Sequence, residues 1–378
     1  MDFLKDIKKR VDIIDVAGRY LDLKRRGRDY IAECPFHKEE TPSFLIKPGL
    51  GTYHCLGCGK SGDVIGFYSE IEGISYLGAA KVLADEAGMV PFFVKPSKTK
   101  EQLYTIYRLA AAYFINELKK PEGETAAEYI GNRKLSEKTV KKFGLGFAPA
   151  KNSKLYTMLK SNGFSDELIE LSALFTNTSY GIRDKFWNRV MFPIADVNGK
   201  VIAFGGRVMG EGSPKYLNSN ETLIFDKSRN LYGLYLAKNT KRNYFILCEG
   251  YMDVIALHQA GFDNAVASLG TSLTSGQANR IAEFTKNVMI SYDGDEAGVK
   301  AALRAIPILK GAGLTVKLLN MDPYKDPDEL IKALGADEYK KRIMSSVSDV
   351  TYQASHLEES SSERADFIKD IAELMLKA

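Results

Sequence analysis

The chain has 378 residues, enough for two or three domains with cores of their own. Hydrophobic residues make up 45% and charged ones 26%, an ordinary globular balance, and no apolar run is long enough to span a bilayer. The net charge of +4 singles out no partner, and Met1 to Arg10 has no continuous apolar core, so no secretory signal is expected and the expected location is the cytoplasm.

The first region runs from Met1 to about Val94. Short amphipathic helices open it, with Phe3, Leu4 and Ile7 on one face, followed by a hairpin turning at Arg25-Arg26-Gly27-Arg28. Strands are expected at Ser43–Lys47 and Thr52–Cys55, then two helices, the second stopping at Gly88. Basic runs at Lys8-Lys9-Arg10 and Lys24-Arg25-Arg26 read, on their own, as solvated faces.

Three of the four cysteines fall in this region, and their spacing carries chemistry. Cys34-Pro-Phe-His37 and Cys55-Leu-Gly-Cys58 are two pairs with two residues inside each and 17 between them. Such a pair forms a tight knuckle that aims both donors at one ion, and two knuckles complete a tetrahedron; thiolate and imidazole donors select zinc. With four protein ligands the site is closed, so this one zinc is structural. It supplies folding free energy on the order of 10 kcal/mol to a region with little room for a core. His54 lacks the knuckle spacing and reads as a packed or surface histidine.

Residues 95–101, around Lys95-Pro96-Ser97-Lys98, are polar without apolar periodicity and read as a linker. The next region, 102–243, starts with a helical pattern (Leu103, Ile106, Tyr107, Ala110, Phe114). It then turns to strands at Val190–Ile194 and Lys200–Phe204, punctuated by Asn198-Gly199 and Gly205-Gly206.

From 244 to 344 strand and helix alternate, which implies a parallel sheet with helices on both faces. Strands are expected at Tyr244–Cys248, Asn264–Ala267, Val288–Tyr292 and Leu314–Leu319, with helices ending near Gly261 and Leu309 and one capped by Thr274 or Ser275. Residues 345–378 are polar and helical and run out without a cap, as the start of a truncated helical subdomain. The fold class is therefore multidomain α/β and α+β: a zinc ribbon, an α+β subdomain and a parallel-sheet α/β subdomain.

Acidic residues gather where strands of the last subdomain end. Glu249 follows one strand, and Asp293 and Asp295 follow another, in Tyr292-Asp293-Gly294-Asp295. Loops at the carboxyl ends of parallel strands share one crevice. Carboxylates crowded there repel one another unless cations lie between them, and hard oxygen donors select Mg²⁺ or Mn²⁺, two or more in number, suited to in-line phosphoryl transfer. Asp326 and Asp328 follow a further strand and read equally as metal ligands or as a cap and turn, and Asp253 also fits a helix first turn.

Together these residues resemble one family. Cys34-Pro-Phe-His37, Glu39, Thr41-Pro-Ser-Phe44 and Tyr53-His54-Cys55-x-x-Cys58 look like the zinc-binding domain of DnaG-type bacterial DNA primases. Glu249-Gly-Tyr-Met-Asp253 and Asp293-Gly-Asp295 look like the TOPRIM fold shared by primases, topoisomerases and some nucleases. Arg189-Val-Met-Phe-Pro193, Phe204-Gly-Gly-Arg207 and Pro214-Lys-Tyr-Leu-Asn-Ser219 are similar to the primase polymerase domain. The resemblance covers almost the whole chain, in the family's order.

It implies an enzyme that makes short RNA primers from ribonucleoside triphosphates on single-stranded DNA. Glu249, Asp293 and Asp295 would bind catalytic Mg²⁺, with Asp253, Asp326 and Asp328 as further candidates. Arg133, Arg189, Arg207, Lys215 and Lys227 would hold template or nucleotide phosphates. It further implies work at replication forks on the nucleoid, beside the replicative helicase and single-stranded DNA-binding protein. The family's helicase-docking domain has no counterpart before Ala378. Two other departures are Trp187, where arginine is usual and which either stacks on a base or packs, and Cys248 in an aliphatic strand position. Two rival readings are a TOPRIM nuclease or topoisomerase, and a zinc-ribbon DNA-binding protein with an inert acidic body.

Overall fold

Short apolar runs between charged turns build the first part of the computed structural model, which describes residues 3–39, 41–74, 76–87, 89, 96–151, 153–178, 181–270 and 272–360. The chain forms two compact units that divide at Lys100. The first holds α1 (Phe3–Arg10), α2 (Ile13–Ala17), β1 (Lys24–Arg26), β2 (Asp29–Ala32), β3 (Phe44–Lys47), β4 (Thr52–Cys55), β5 (Ser61–Asp63), α3 (Val64–Glu72) and α4 (Tyr76–Glu86). The five strands pair antiparallel in chain order. Asp12 and Asp63 start α2 and α3 by accepting the N–H of Ile14 and Gly66 (2.8 and 2.9 Å). The core is small and aromatic: Phe44 stacks on Tyr53 at 5.0 Å, and Phe67 closes over both. The helix stop expected at Gly88 lies outside the described residues.

The second unit starts at Glu101, inside α5 (Pro96–Glu117), and continues with α6 (Glu124–Asn132), α7 (Glu137–Phe143), β6 (Gly146–Ala148), α8 (Leu155–Ser161) and α9 (Asp166–Leu171). There follow β7 (Phe175–Thr178), β8 (Gly181–Asp184), β9 (Arg189–Ala195), β10 (Val201–Val208), β11 (Tyr216–Asn218) and α10 (Leu234–Ala237). Residues 96–101, expected to lack regular structure, form the opening turns of α5, and the two units divide within them. Proline suits a helix start, and the lysines and glutamine that follow are good helix formers, so two polar turns precede the apolar stripe of Leu103, Ile106, Tyr107, Ala110 and Phe114. Lys95 lies outside the described residues.

Four strands form a sheet in the order β11-β10-β9-β6. The Asn198-Gly199 hairpin closes as the pattern suggests, with Asp196 Oδ1 accepting the N–H of Asn198 and Lys200 (2.8 and 2.9 Å). Gly205 and Gly206, by contrast, punctuate nothing: both lie inside β10. A Cβ on Gly205 would stand 2.5 Å from the Tyr251 ring, and one on Gly206 2.8 Å from Phe186. The pair is there for close approach. Tyr251 has little room to retreat, being stacked on Phe192 at 5.3 Å and edge-on to Tyr232 at 4.6 Å. Gly205→Ala should therefore lower stability by about 1–3 kcal/mol, as overpacked cores do. Thermal melting would show it as a fall of several degrees; an unchanged midpoint would mean that Tyr251 moves freely.

The last stretch alternates as expected: β12 (Phe245–Cys248), α11 (Tyr251–Gln259), β13 (Ala265–Ala267), α12 (Ser275–Ala282), β14 (Asn287–Ile290), α13 (Glu296–Gly311), β15 (Thr315–Leu318), α14 (Pro327–Met344, broken at Gly335), β16 (Val347–Ser348) and α15 (Asp349–Ser360). Its sheet runs β13-β12-β14-β15-β16, parallel in its first three pairings. β16 pairs antiparallel with β15, so the sheet extends past residue 344 into the stretch read as the start of another subdomain. A two-residue exposed strand carries no periodicity to announce it. All four residues of β12 are buried. Ile246 and Cys248 face a core shared with α11, α14 and the β6-β9-β10 sheet, while Phe245 and Leu247 face α12 and α13. Both faces are thus covered, and that shared core joins the α+β part to the parallel sheet. Among the described residues no helix is long and apolar enough to cross a membrane.

Candidate functional site

In the first unit, β2 leads into the knuckle of Cys34 and His37, and β4 into that of Cys55 and Cys58. The four donor atoms lie within 4.8 Å of one another. Cys34 Sγ is 3.9 Å from Cys58 Sγ, and Cys55 Sγ is 3.8 Å from His37 Nδ1. Burial pushes the Cys34 thiol up to about 12. Burial also opposes ionisation of Cys55, but the Cys58 N–H and the Ser43 hydroxyl outweigh it and bring Cys55 down to about 6. Three sulfurs and an imidazole gathered this closely fit zinc, whose charge displaces thiol protons. His54 is exposed and takes no part.

Glu39 is the residue that spacing alone missed. Its carboxylate accepts the N–H of Cys34 and Ser43 (2.7 and 3.0 Å) and the Ser43 hydroxyl, and it lies 3.3 Å from His37 Nε2. His37 therefore turns Nδ1 toward the sulfurs and is oriented from behind by a carboxylate, a common support for a metal-binding histidine. The Ser43 bonds, first of all, hold Glu39 below the usual carboxylate range. Its position two residues after His37 was the available signal.

In the second unit, Glu249 follows β12, the Asp293–Asp295 loop follows β14, and Asp326 follows β15, at the carboxyl ends of three neighbouring strands. The Asp293 N–H donates to Glu249 Oε1 (3.1 Å), and the Gly294 N–H donates to the Lys325 carbonyl (2.8 Å), lacing the three loops together. Gly298 lets α13 close in: a Cβ there would stand 2.1 Å from the Asp293 carbonyl oxygen and 3.0 Å from Glu249 Oε1. Asp295 and Asp326 also cap helices, accepting the N–H of Gly298 (3.0 Å) and Glu329 (2.8 Å). Asp253 accepts the Gly250 N–H (3.1 Å) at the start of α11. Lys325 Nζ, not singled out from the sequence although it adjoins Asp326, is 4.0 Å from Asp293 and 3.8 Å from Asp295.

Crowding shows in the ionisation of these groups. Burial, then the charges of Glu249 and Asp326, pushes Asp293 up to about 7. Burial, and further the charge of Asp295, raises Glu249. Asp253 is buried and sits well above the carboxylate range, by burial first and then by Asp326, Asp293 and Asp328. A site of hard oxygen donors whose negative charge is under-compensated fits a divalent cation. Asp328 differs from the rest. It is 2% exposed, and its Oδ2 accepts from Arg133 (2.5 Å) and Lys332 (2.6 Å), so cations of the chain already neutralise it.

The basic residues also separate. Arg189 is 4% exposed, and its Nη1 donates to the carbonyls of Gly206 and Pro214 at 3.0 Å and of Lys215 at 3.4 Å. Here this guanidinium, buried among backbone carbonyls, braces β9, β10 and the β10–β11 turn. Arg207 and Arg133 flank the Tyr129 ring at 4.1 and 5.4 Å, and Arg133 also pairs with Asp328. Lys215 is exposed and Lys227 half-buried.

Comparisons with known proteins follow the same division of the chain. Family models match in order: the CHC2 zinc finger over residues 1–99, the DNA primase catalytic core N-terminal domain over 113–238, and a Toprim-like domain over 246–331. The DNA primase of Clostridium acetobutylicum is 39% identical across 99% of this chain, and that of Aquifex aeolicus 41% identical across 91%. The chain spans 64% of the first relative and 69% of the second. Among solved structures, the zinc-binding and RNA polymerase domains of the Aquifex aeolicus primase match with a TM-score of 0.64 at 36% identity, covering 100% of this chain and 97% of that one. A DnaG primase catalytic domain bound to single-stranded DNA matches with a TM-score of 0.67 at 33% identity, over 74% of this chain and 92% of its own.

Proposed function

Since this chain belongs to the DnaG-type bacterial DNA primases, we propose that it synthesises short RNA primers from ribonucleoside triphosphates on single-stranded DNA, by Mg²⁺-dependent nucleotidyl transfer. The observation that carries this reading is the bond from the Asp293 N–H to Glu249 Oε1, which brings acids from two strand ends into one crevice. Nothing favours the nuclease, topoisomerase or inert-body readings over it.

In this reading Glu249, Asp293 and Asp295 hold the cation, and Asp253 and Asp326 add negative charge around them. When bound, Mg²⁺ supplies activation of the attacking hydroxyl and neutralises the leaving pyrophosphate. Lys325 balances the charge of the Asp293 loop, while Arg207, Lys215 and Lys227 take phosphates of template or nucleotide. Asp328 acts from outside the metal set by orienting Arg133. The replicative helicase and single-stranded DNA-binding protein are the expected companions, at forks on the cytoplasmic nucleoid. The deciding experiment is a primer-synthesis assay on defined single-stranded templates with radiolabelled ribonucleotides, with and without Mg²⁺. Short Mg²⁺-dependent RNA is expected; relaxation of supercoiled DNA without ribonucleotides, or no product, would reject the reading.

A pH dependence follows. Asp293 is raised in the folded chain to about 7 from an ordinary 3.8, so the native state holds its proton more tightly than the unfolded one. Its favourable contribution is complete below about 3.8 and lost as pH rises through about 7. Cation-free protein should melt at falling temperature across that window. Mg²⁺ should raise the midpoint more on the alkaline side of the window than on the acid side, because proton and cation compete for the same oxygens. Equal Mg²⁺ responses on both sides, or a response undiminished in Asp293→Asn, would count against the metal assignment.

A further inference from the structure

The turn that carries Lys227 is held by a helix of the parallel-sheet part. Within the turn, Asp226 Oδ1 accepts the Ser228 N–H (2.9 Å) and hydroxyl (2.6 Å), and the Asp226 carbonyl accepts the Arg229 N–H (3.2 Å) and the Asn230 side-chain amide (2.7 Å). These bonds fix the shape of the turn. Its place is set by α12. The Thr274 hydroxyl donates to the Ser228 carbonyl, and Gln277 Nε2 donates to the carbonyls of Lys227 and Asn230, both at 3.0 Å. Gly276 lets the two backbones meet, since a Cβ there would stand 2.6 Å from the Ser228 carbonyl oxygen.

Gln277 is fully buried. Two carbonyls in front of one amide settle its orientation: the nitrogen faces them both, and Oε1 turns back to accept the Thr274 N–H (3.2 Å) as half of a capping box. A capping box needs only that acceptor, and glutamate supplies it equally well. The two donations to the turn are therefore more than the start of a helix requires. What they do follows from where α12 stands. It comes after β13, which lies beside β12, and Glu249 follows β12. Between β13 and α12 the Leu269 carbonyl is itself held by Asn218 Nδ2 (2.6 Å). Gln277 thus fastens the Lys227 turn to the sheet whose strand ends carry the acids.

We infer that Gln277 is a positioning residue, which holds the Lys227 backbone so that the ammonium meets a phosphate at a fixed place relative to the Glu249–Asp293 crevice. This rests on the reading of Lys227 as a phosphate contact, but its test does not require synthesis. The phosphate is that of a template strand or of a ribonucleoside triphosphate, and two arms tell them apart: anisotropy of labelled oligo-dT, and calorimetric titration with ATP and Mg²⁺. Gln277→Glu keeps the cap and removes both donors to the turn. In the full chain it should weaken whichever arm Lys227→Ala weakens, by about tenfold or more, since a binding group displaced by about 1 Å loses up to about a hundredfold. The double variant should bind no worse than Lys227→Ala alone, because a residue that acts through Lys227 then has nothing left to place. Where Gln277→Glu melts below the assay temperature, Gly276→Ala carries the same comparison, its Cβ pressing on the Ser228 carbonyl.

Additive losses in the double variant would overturn the inference. So would wild-type binding by Gln277→Glu in the arm that Lys227→Ala weakens, or a loss confined to the other arm. Unfolding of both Gln277→Glu and Gly276→Ala would mark the interlock as merely structural and overturn it too. Lys227→Ala without effect in either arm would remove the phosphate contact, and its positioning residue with it. A non-additive cycle in a chain that makes no RNA with Mg²⁺ would reject the primase reading and leave the positioning role standing.

Discussion

Glu249→Gln and Asp295→Asn should each cut primer synthesis on the order of a thousandfold while leaving the chain folded. Metal-held oxygens contribute several kcal/mol to such transition states, and each ~1.4 kcal/mol is a factor of ten in rate. Both substitutions keep the local structure. In Glu249→Gln the side-chain amide carbonyl can still accept the Asp293 N–H. Asparagine caps a helix as well as aspartate, so the bond to Gly298 that starts α13 survives in Asp295→Asn. The cap and the metal site are thereby separated. If Asp295 serves only as a cap, Asp295→Asn retains full activity; if it holds a cation, activity goes and the melting temperature stays. In cation-free protein Glu249→Gln should even melt slightly higher, since it removes one of the charges that raise Asp293. Radiolabelled product and a melting curve on the same preparations decide the matter, and undiminished synthesis in both variants would dissolve the assigned centre.

What could be read before the fold was known, and what could not, divides by distance along the chain. The zinc knuckles and the acids at strand ends are local signals: two residues between donors, or a carboxylate just past an apolar run, say the same thing in any tertiary setting. The parallel strands were legible for that reason, and so were the hairpin at Asn198-Gly199 and the cap at Thr274. Contacts between distant residues left no such trace. Arg133 meets Asp328 across 195 positions, an ion pair that no local pattern announces. Gly205 looked like a turn because the Tyr251 ring that requires it lies in another element. Family resemblance located Arg189 but not its direction, and only burial shows that it faces inward. Glu39 falls between the two cases: it is close in sequence to His37, yet its role emerges only from three hydrogen bonds and the approach to Nε2.

Cys55→Ala tests the other metal, and the effect should be structural before it is catalytic. Cys55 is fully buried, and its sulfur accepts the Cys58 N–H at 3.3 Å and lies 3.3 Å from the Ser43 hydroxyl. Alanine removes one ligand and leaves the Cys58 N–H without that acceptor, while the Ser43 hydroxyl keeps Glu39. A structural zinc contributes on the order of 10 kcal/mol to folding a small domain, whereas a unit of this size gains only a few kcal/mol net from its own burial. The aromatic cluster of Phe44, Tyr53 and Phe67 should not hold the first unit together alone. Zinc content should fall from one ion per chain to near none, and limited proteolysis should digest residues 1–100 while the unit from Glu101 onward resists. The same pattern should follow chelation of the wild-type protein. Synthesis should then lose its preference among templates more than its chemistry, because Glu249, Asp293 and Asp295 belong to the other unit. Equal zinc content in wild-type and Cys55→Ala protein would refute the ligand set. A head that resists protease without its metal would show that the aromatic core, and not zinc, carries the fold.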